Sequence, residues 1–262
     1  MQFEVKRDIL LKSLNFVQGI VEKKNTLPIL SNVLLQLKEK KLSIVATDLD
    51  IIFFDEIEEV KIITEGSTTT SASILYDILR KISSNSDLRF ELKTENKLSL
   101  KSDNADFNLL CLPTDNFPTF ADEFEGNELK LNGNKLLKLL NKTKISISND
   151  DTRHYLNGVY MHLTEAQGRN FLTGVATDSH RLSSSSLEID KINDFSSLIL
   201  PRKTVYQLCS ILSENSEPIL MQVSDNKIKF TDISKNLLKE YVGYLLATCT
   251  MQRARIIPLQ AT

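Results

Sequence analysis

The tetrapeptide Val-Ala-Thr-Asp occurs twice, at positions 45–48 and 175–178, each time closing an apolar, strand-like run. The neighbours keep the same spacing. Tyr76 returns as Tyr206, Asn85-Ser86-Asp87 as Asn215-Ser216-Glu217, and Asn96-Lys97-Leu98 as Asn226-Lys227-Ile228, all 130 positions on. Towards the front of each copy the offset is 126, pairing Val5 with Leu131, Leu10-Leu11 with Leu136-Leu137 and Val33 with Val159. A fixed period over such a length means one structural unit laid down twice. The step from 126 to 130 places a small insertion in the turn at 164–170, whose counterpart around 39–41 is shorter.

Within each copy the apolar spacing alternates between the period of a strand and that of a helix. A strand at 3–5 precedes a helix at 8–17, with apolar residues at 10, 11, 14 and 17. A Pro-marked turn at 26–30 leads into strands at 32–37 and 41–46 and a long third strand at 49–60. The order then repeats as a strand at 67–70, a helix at 73–82 and strands at 88–92, 97–101 and 106–112. The second copy shows a strand at 128–131, a helix at 134–143, and strands at 156–163 and 170–176. Its second helix, 202–213, is opened by Leu200-Pro201, a favoured helix start. The expected fold class is therefore α+β, two repeated modules each with two helices packed on antiparallel sheets, four sheets and four helices in all. Phe117-Pro118 and the acidic Asp122, Glu123 and Glu125 break both periods. We place the modules at 1–124 and 128–250, with 251–262 opening a further linker. Beyond 231 the repeat fades, since 98–112 find no good partner in 228–242.

A chain of 262 residues is long enough for two such modules, each burying its own core. Its 41% hydrophobic and 25% charged residues are those of soluble globular proteins. No apolar run approaches the ~20 residues of a membrane span, and the first residues lack the apolar core of a signal peptide. Cys111, Cys209 and Cys249 are odd in number and widely spaced, giving neither a disulfide framework nor metal-ligand spacing. These features point to the cytoplasm. The net charge of −2 conceals an asymmetry. Residues 129–148 hold five lysines and no acid, whereas 48–65 hold seven acids and only Lys61. Charge separated this way presents a basic face to phosphate, or else is a solvated lysine-rich surface.

Thr177-Asp178-Ser179-His180 contains the letters of a hydrolase triad, but neighbours on an extended chain point opposite ways and cannot make its hydrogen bonds. Phosphate-cradling glycine motifs are missing, and eight glycines leave little material for them. His154, His162 and His180 are too scattered for a metal set. The expectation is a non-catalytic protein without metal or cofactor.

Specific letters then narrow the reading. Thr26-Leu27-Pro28-Ile29-Leu30, Thr47-Asp48, Tyr155-Leu156-Asn157-Gly158, Ala176-Thr177-Asp178-Ser179-His180-Arg181-Leu182 and Pro201-Arg202-Lys203 together closely resemble the bacterial DNA polymerase III β subunits, the replicative sliding clamps. The resemblance runs from Met1 to about Thr231. It implies a clamp fold whose helices line a hole around duplex DNA, held without regard to base sequence. In the family two chains of three modules close head to tail into a ring that tethers the replicative polymerase.

Positions matching DNA-facing residues are Lys24, Asp150, Arg153, His154, Tyr155, Arg202 and Lys203. Asp150 weakens the match there, because a carboxylate repels phosphate. Helix charge alone adds Arg80, Lys135 and Lys138. Leu156, Thr177, Ser179, His180, Arg181 and Leu182 match one wall of a cleft for short peptides of polymerase, clamp loader and repair proteins, and Arg255 and Ile256 fall on further cleft positions. Phe107 matches an aromatic of the ring interface, while Ile74 and Asp106 stand where basic residues occur. Between 232 and 253 the expected strand pair and a cleft proline are replaced by unrelated sequence, and no third module lies within the 262 residues. The usual two-chain ring is therefore not expected of these residues alone. The alternative is a copy that binds partner proteins or DNA weakly without closing a ring.

Overall fold

The computed structural model describes residues 1–22, 27–103, 105–118, 126–150, 152–190, 195–214, 218–224, 227–232 and 244–248. β1 (Gln2–Lys6) runs directly into α1 (Arg7–Val17), which buries Leu10, Leu14 and Val17. No side chain caps α1. Instead Asp8 sits in its first turn, favourable at the positive end of the helix, and accepts from the Arg7 guanidinium and from the Asn85 N–H at 2.7 Å. A 3-10 turn at Pro28–Ser31 leads to β2 (Asn32–Lys38), β3 (Lys41–Thr47), β4 (Ile51–Ile57) and β5 (Val60–Thr64). β6 (Gly66–Ser71) precedes α2 (Ala72–Lys81), capped by the Ser71 hydroxyl, and β7 (Asp87–Thr94), β8 (Lys97–Ser102) and β9 (Ala105–Leu112) complete the first half.

The second half follows the same order. β10 (Asn127–Asn132) enters α3 (Gly133–Thr143), where the Asn132 carboxamide accepts the Lys135 N–H at 3.0 Å. Then come β11 (Gly158–Ala166), β12 (Arg169–Thr177), β13 (Leu182–Ile189) and β14 (Leu198–Pro201). α4 (Arg202–Glu214), β15 (Pro218–Val223), β16 (Lys227–Asp232) and β17 (Tyr244–Thr248) finish it.

Among the described residues the strands form two antiparallel sheets, not four. One has 13 strands in the order β10-β15-β16-β17-β4-β3-β2-β6-β9-β8-β7-β1-β5; the other is β13-β12-β11-β14. The merging has two causes. β9 pairs along β8 and, at Cys111 and Leu112, also with β6. β17 pairs with β16 on one side and with β4 on the other, Leu245 opposite Phe53 and Leu246 opposite Ile52. β17 also corrects the expectation that the strand pair is lost after residue 231. Its backbone takes the ladder position of β9 although its letters do not repeat, because a strand is held by main-chain hydrogen bonds that many sequences can make.

Two further expectations change. The long strand at 49–60 is two strands: the Val60 N–H turns back onto the Glu58 carbonyl at 2.7 Å, and the chain leaves β3 to pair with β1 as β5. The four-residue insertion is not a longer turn. Lys38 pairs with Lys41 and Ala166 with Arg169, so both hairpins close on two residues. Those residues, Glu39-Lys40 and Gln167-Gly168, all have positive φ, as a primed hairpin turn requires. The extra residues lengthen the β11–β12 ladder instead.

Most of the buried side chains also form one connected cluster across both halves, from Phe3 stacked on Phe90 at 4.6 Å to Leu136, Leu208 and Phe230, while Ile29, Leu30 and Phe117 make a small separate one. The expectation of two separate cores gives way because α1 touches α4 while β4 joins β17. With α1 also against α2 and α3 against α4, the helices make one layer in the order α2-α1-α4-α3.

Candidate nucleic-acid and peptide interfaces

The repeated Thr-Asp builds the same turn in both halves. After β3 the Thr47 hydroxyl accepts the Leu49 N–H at 2.9 Å, and the Asp48 carboxylate accepts the N–H groups of Asp50 and Ile51 at 3.0 and 2.7 Å. After β12 the Thr177 hydroxyl accepts the Ser179 N–H at 3.2 Å, and Asp178 accepts those of His180 and Arg181 at 3.1 and 3.0 Å. Leu49 and Ser179 both sit at positive φ, 83° and 78°. A threonine hydroxyl and a carboxylate that hold three backbone donors explain the shared letters as turn chemistry. The N–H groups of Arg181 and His180, with the Arg181 guanidinium at 2.9 Å, keep the Asp178 carboxyl below the usual carboxylate range.

What differs between the copies is what the turn displays. In the second copy Ser179, His180, Arg181 and Leu182 are all exposed, Leu182 at 66%. The Arg153 guanidinium donates to the Ser179 hydroxyl at 3.2 Å, and the hydroxyls of Ser146 and Ser183 meet at 2.6 Å. These bonds lay the segment carrying His154, Tyr155 and Leu156, a short 3-10 turn, alongside the 177–183 strand end. The sequence-predicted peptide residues Leu156, Thr177, Ser179, His180, Arg181 and Leu182 thus belong to two neighbouring segments joined by hydrogen bonds. Thr177 is spent within its turn, also donating to the Arg181 carbonyl at 2.7 Å. Arg255 and Ile256 lie outside the described residues.

The predicted nucleic-acid residues separate by their partners. Arg153 pairs with Asp150 at 3.3 Å. Asp150 itself is held below the usual carboxylate range by the Thr152 hydroxyl and N–H, with the Arg153 charge a smaller influence. Lys203 directs its ammonium at the Ile20 carbonyl at 2.9 Å, Glu22 at 3.2 Å and Asp48 at 2.5 Å. That uses all three of its donors. One turn further along α4, Gln207 donates to the Gly19 carbonyl at 2.9 Å. The two side chains, four apart and so on one helix face, satisfy carbonyls just past the end of α1 that have no partner in their own helix. Lys203 and Gln207 therefore join the two halves.

Arg202 is different. It donates to the Asn149 carboxamide oxygen and lies 5.7 Å from the centre of the Tyr206 ring, with no acid partner among the described residues. Arg80 similarly lies over Tyr76 at 5.6 Å. Tyr155 is 55% exposed, His154 is exposed, and Lys135 and Lys138 are exposed on α3. Lys24 lies outside the described residues. Of the predicted ring-interface residues, Ile74 is exposed on α2 while Phe107 is half-buried against the core. Further along the same strand as Phe107, Leu110 is 83% exposed, a residue the sequence pattern did not single out. Lys144 was also missed: its ammonium lies 5.5 Å from the same Tyr206 ring centre. The recurrence of Tyr76 as Tyr206 is the signal in the sequence for this pair of rings. Among the described residues no set of His, Cys, Asp or Glu side chains gathers to hold a metal ion, and no helix is long and apolar enough to cross a membrane.

Residues 1–121 match the DNA polymerase III beta subunit, N-terminal domain, and residues 130–239 match its central domain. A beta sliding clamp of Caulobacter vibrioides is 35% identical over 232 residues, 88% of this chain and 62% of that protein. The beta sliding clamp of Escherichia coli K12 is 34% identical over 229 residues, 87% of this chain and 61% of that protein. The chain thus spans about 62% of the length of the curated relatives it matches. A solved sliding clamp (DNA polymerase III subunit beta) from Bartonella birtlesii, bound to griselimycin, superposes over 100% of this chain and 69% of its own, with a TM-score of 0.89 and 33% identity. Duplicated turns, a shared helical layer and these matches over both halves place the chain in the family of bacterial DNA polymerase III β subunits, the β sliding clamps.

Proposed function

We propose that this chain acts as a non-catalytic DNA sliding clamp subunit in the cytoplasm, with modules at 1–124 and 128–250. Its helical layer meets duplex DNA and its 177–182 edge takes short linear peptides. The observation that carries the reading is the layer α2-α1-α4-α3, on which Arg80 and Arg202 stand without acid partners among the described residues. Backbone phosphates bound by such cations are recognised without regard to base sequence and with steep salt dependence. Arg80, Arg202, His154 and Tyr155 are the proposed contacts, with Lys24 added from the family match. Arg153 takes a contact only by exchanging Asp150 for phosphate. Leu156, Leu182, His180 and Arg181 supply apolar area and polar ends suited to an extended peptide, from replicative polymerase, clamp loader or repair proteins. Ile74 and Phe107 are the proposed ring-interface residues of the first module.

The test is a duplex titration over a salt series, run beside a titration with a clamp-binding peptide. Salt-sensitive, sequence-independent binding together with peptide binding supports the reading. Peptide binding without DNA binding at low salt leaves a partner-binding copy instead. Sedimentation decides whether copies associate, and retention on circular but not linear DNA decides whether they encircle it.

A further inference from the structure

We propose that Tyr206, with Lys144 and Arg202 over its ring, is a binding station for a backbone phosphate of duplex nucleic acid. The inference rests on the DNA-facing reading of the helical layer and adds Lys144 and Tyr206 to it. Two cations from separate segments, the 3-10 turn Lys144–Ser146 and the first turn of α4, sit 5.5 and 5.7 Å from one ring centre. Other prominent cations nearby are neutralised: Lys203 by Asp48 and Glu22, Arg153 by Asp150, Arg181 by Asp178. Lys144 and Arg202 have no carboxylate within ion-pair distance among the described residues. Like charges gathered on one ring repel each other, and an anion between them relieves the repulsion. The ring is 43% exposed, so the arrangement is open to a ligand. Its hydroxyl has no partner among the described residues, whereas the Tyr76 hydroxyl donates to Asn15 at 3.1 Å. A guanidinium, an ammonium and a phenol are together five or more donors and no competing acid, which suits phosphate oxygens.

The first half carries the same device in reduced form, Arg80 over Tyr76 at 5.6 Å. Because Tyr76 and Tyr206 are repeat equivalents, the helical layer displays the station twice, once with one cation and once with two. The second is the stronger. Tyr76 is partly buried against the core and tied to Asn15, whereas Tyr206 is exposed and is not among the side chains packed on the core.

The test titrates the full chain with a fluorescent duplex of random sequence across about 50 to 200 mM salt. Lys144→Gln is expected to lower the slope of log affinity against log salt by about 0.9, the value of one phosphate contact on B-DNA. Tyr206→Leu is expected to lower it with both cations still present, and Lys144→Arg to restore it. Wild-type slopes in both Lys144→Gln and Tyr206→Leu, with the parent chain binding, overturn the station and leave the wider reading standing. A parent chain that does not bind duplex at low salt overturns both.

Discussion

Lys203→Met separates two roles for one residue. Were Lys203 a phosphate contact, its loss would weaken duplex binding and flatten the salt dependence. The structure instead gives it a mechanical part, with its ammonium on Asp48, whose side chain is 8% exposed, and on Glu22, which is 56% exposed. The Glu22 contact is worth about 0–1 kcal/mol at such exposure. Stripping a nearly buried carboxylate of its partner costs about 3–5 kcal/mol in full burial. Here Lys203 is itself 34% exposed, and Asp48 keeps two backbone donors. A total of about 2–3 kcal/mol follows, concentrated at the contact between the halves. Local opening there should become roughly 30- to 150-fold more frequent. Native-state hydrogen exchange reads this directly. Amides of β4 and of Gly19 and Ile20 should exchange faster, while β7 and β8, remote from the contact, keep their rates. Combining Lys203→Met with Asp48→Asn should cost less than the sum of the two single changes. Unchanged exchange at β4, or a salt slope lowered by about one unit, would refute the mechanical role.

Other outcomes follow from the same geometry. A Cβ on Gly158 would stand 2.4 Å from the Leu200 carbonyl oxygen, so Gly158→Ala should destabilise by about 1–3 kcal/mol through the β11–β14 pairing, seen as a lower thermal midpoint. Asp178 is held below its ordinary 3.8, so the stability it lends its turn is complete above 3.8 and is lost as pH falls through the lower folded value. Carboxyl NMR should find Asp178 titrating below 3.8; a titration at or above 3.8 would contradict the turn geometry. Burial raises the thiols of Cys111 and Cys209, so peptide mapping after iodoacetamide treatment should find both unlabelled in the native chain and labelled after denaturation.

The sequence by itself determined the duplication, the four helices and the turn-forming Thr-Asp pair, because periodicity and local hydrogen-bonding chemistry act between near neighbours. It also marked most of the residues proposed to meet DNA and peptide, through motifs that survive as letters. Only the tertiary structure decided that the strands merge into two sheets, since β17 reaches β4 across more than half of the chain and is held by backbone bonds that leave no signature in side chains. The same holds for charge. Lys203 and Arg202 are adjacent in sequence, yet one is turned onto Asp48 and Glu22 and the other left open over Tyr206. Which cation stays free depends on where distant carboxylates land, and that is settled only when the two halves pack together.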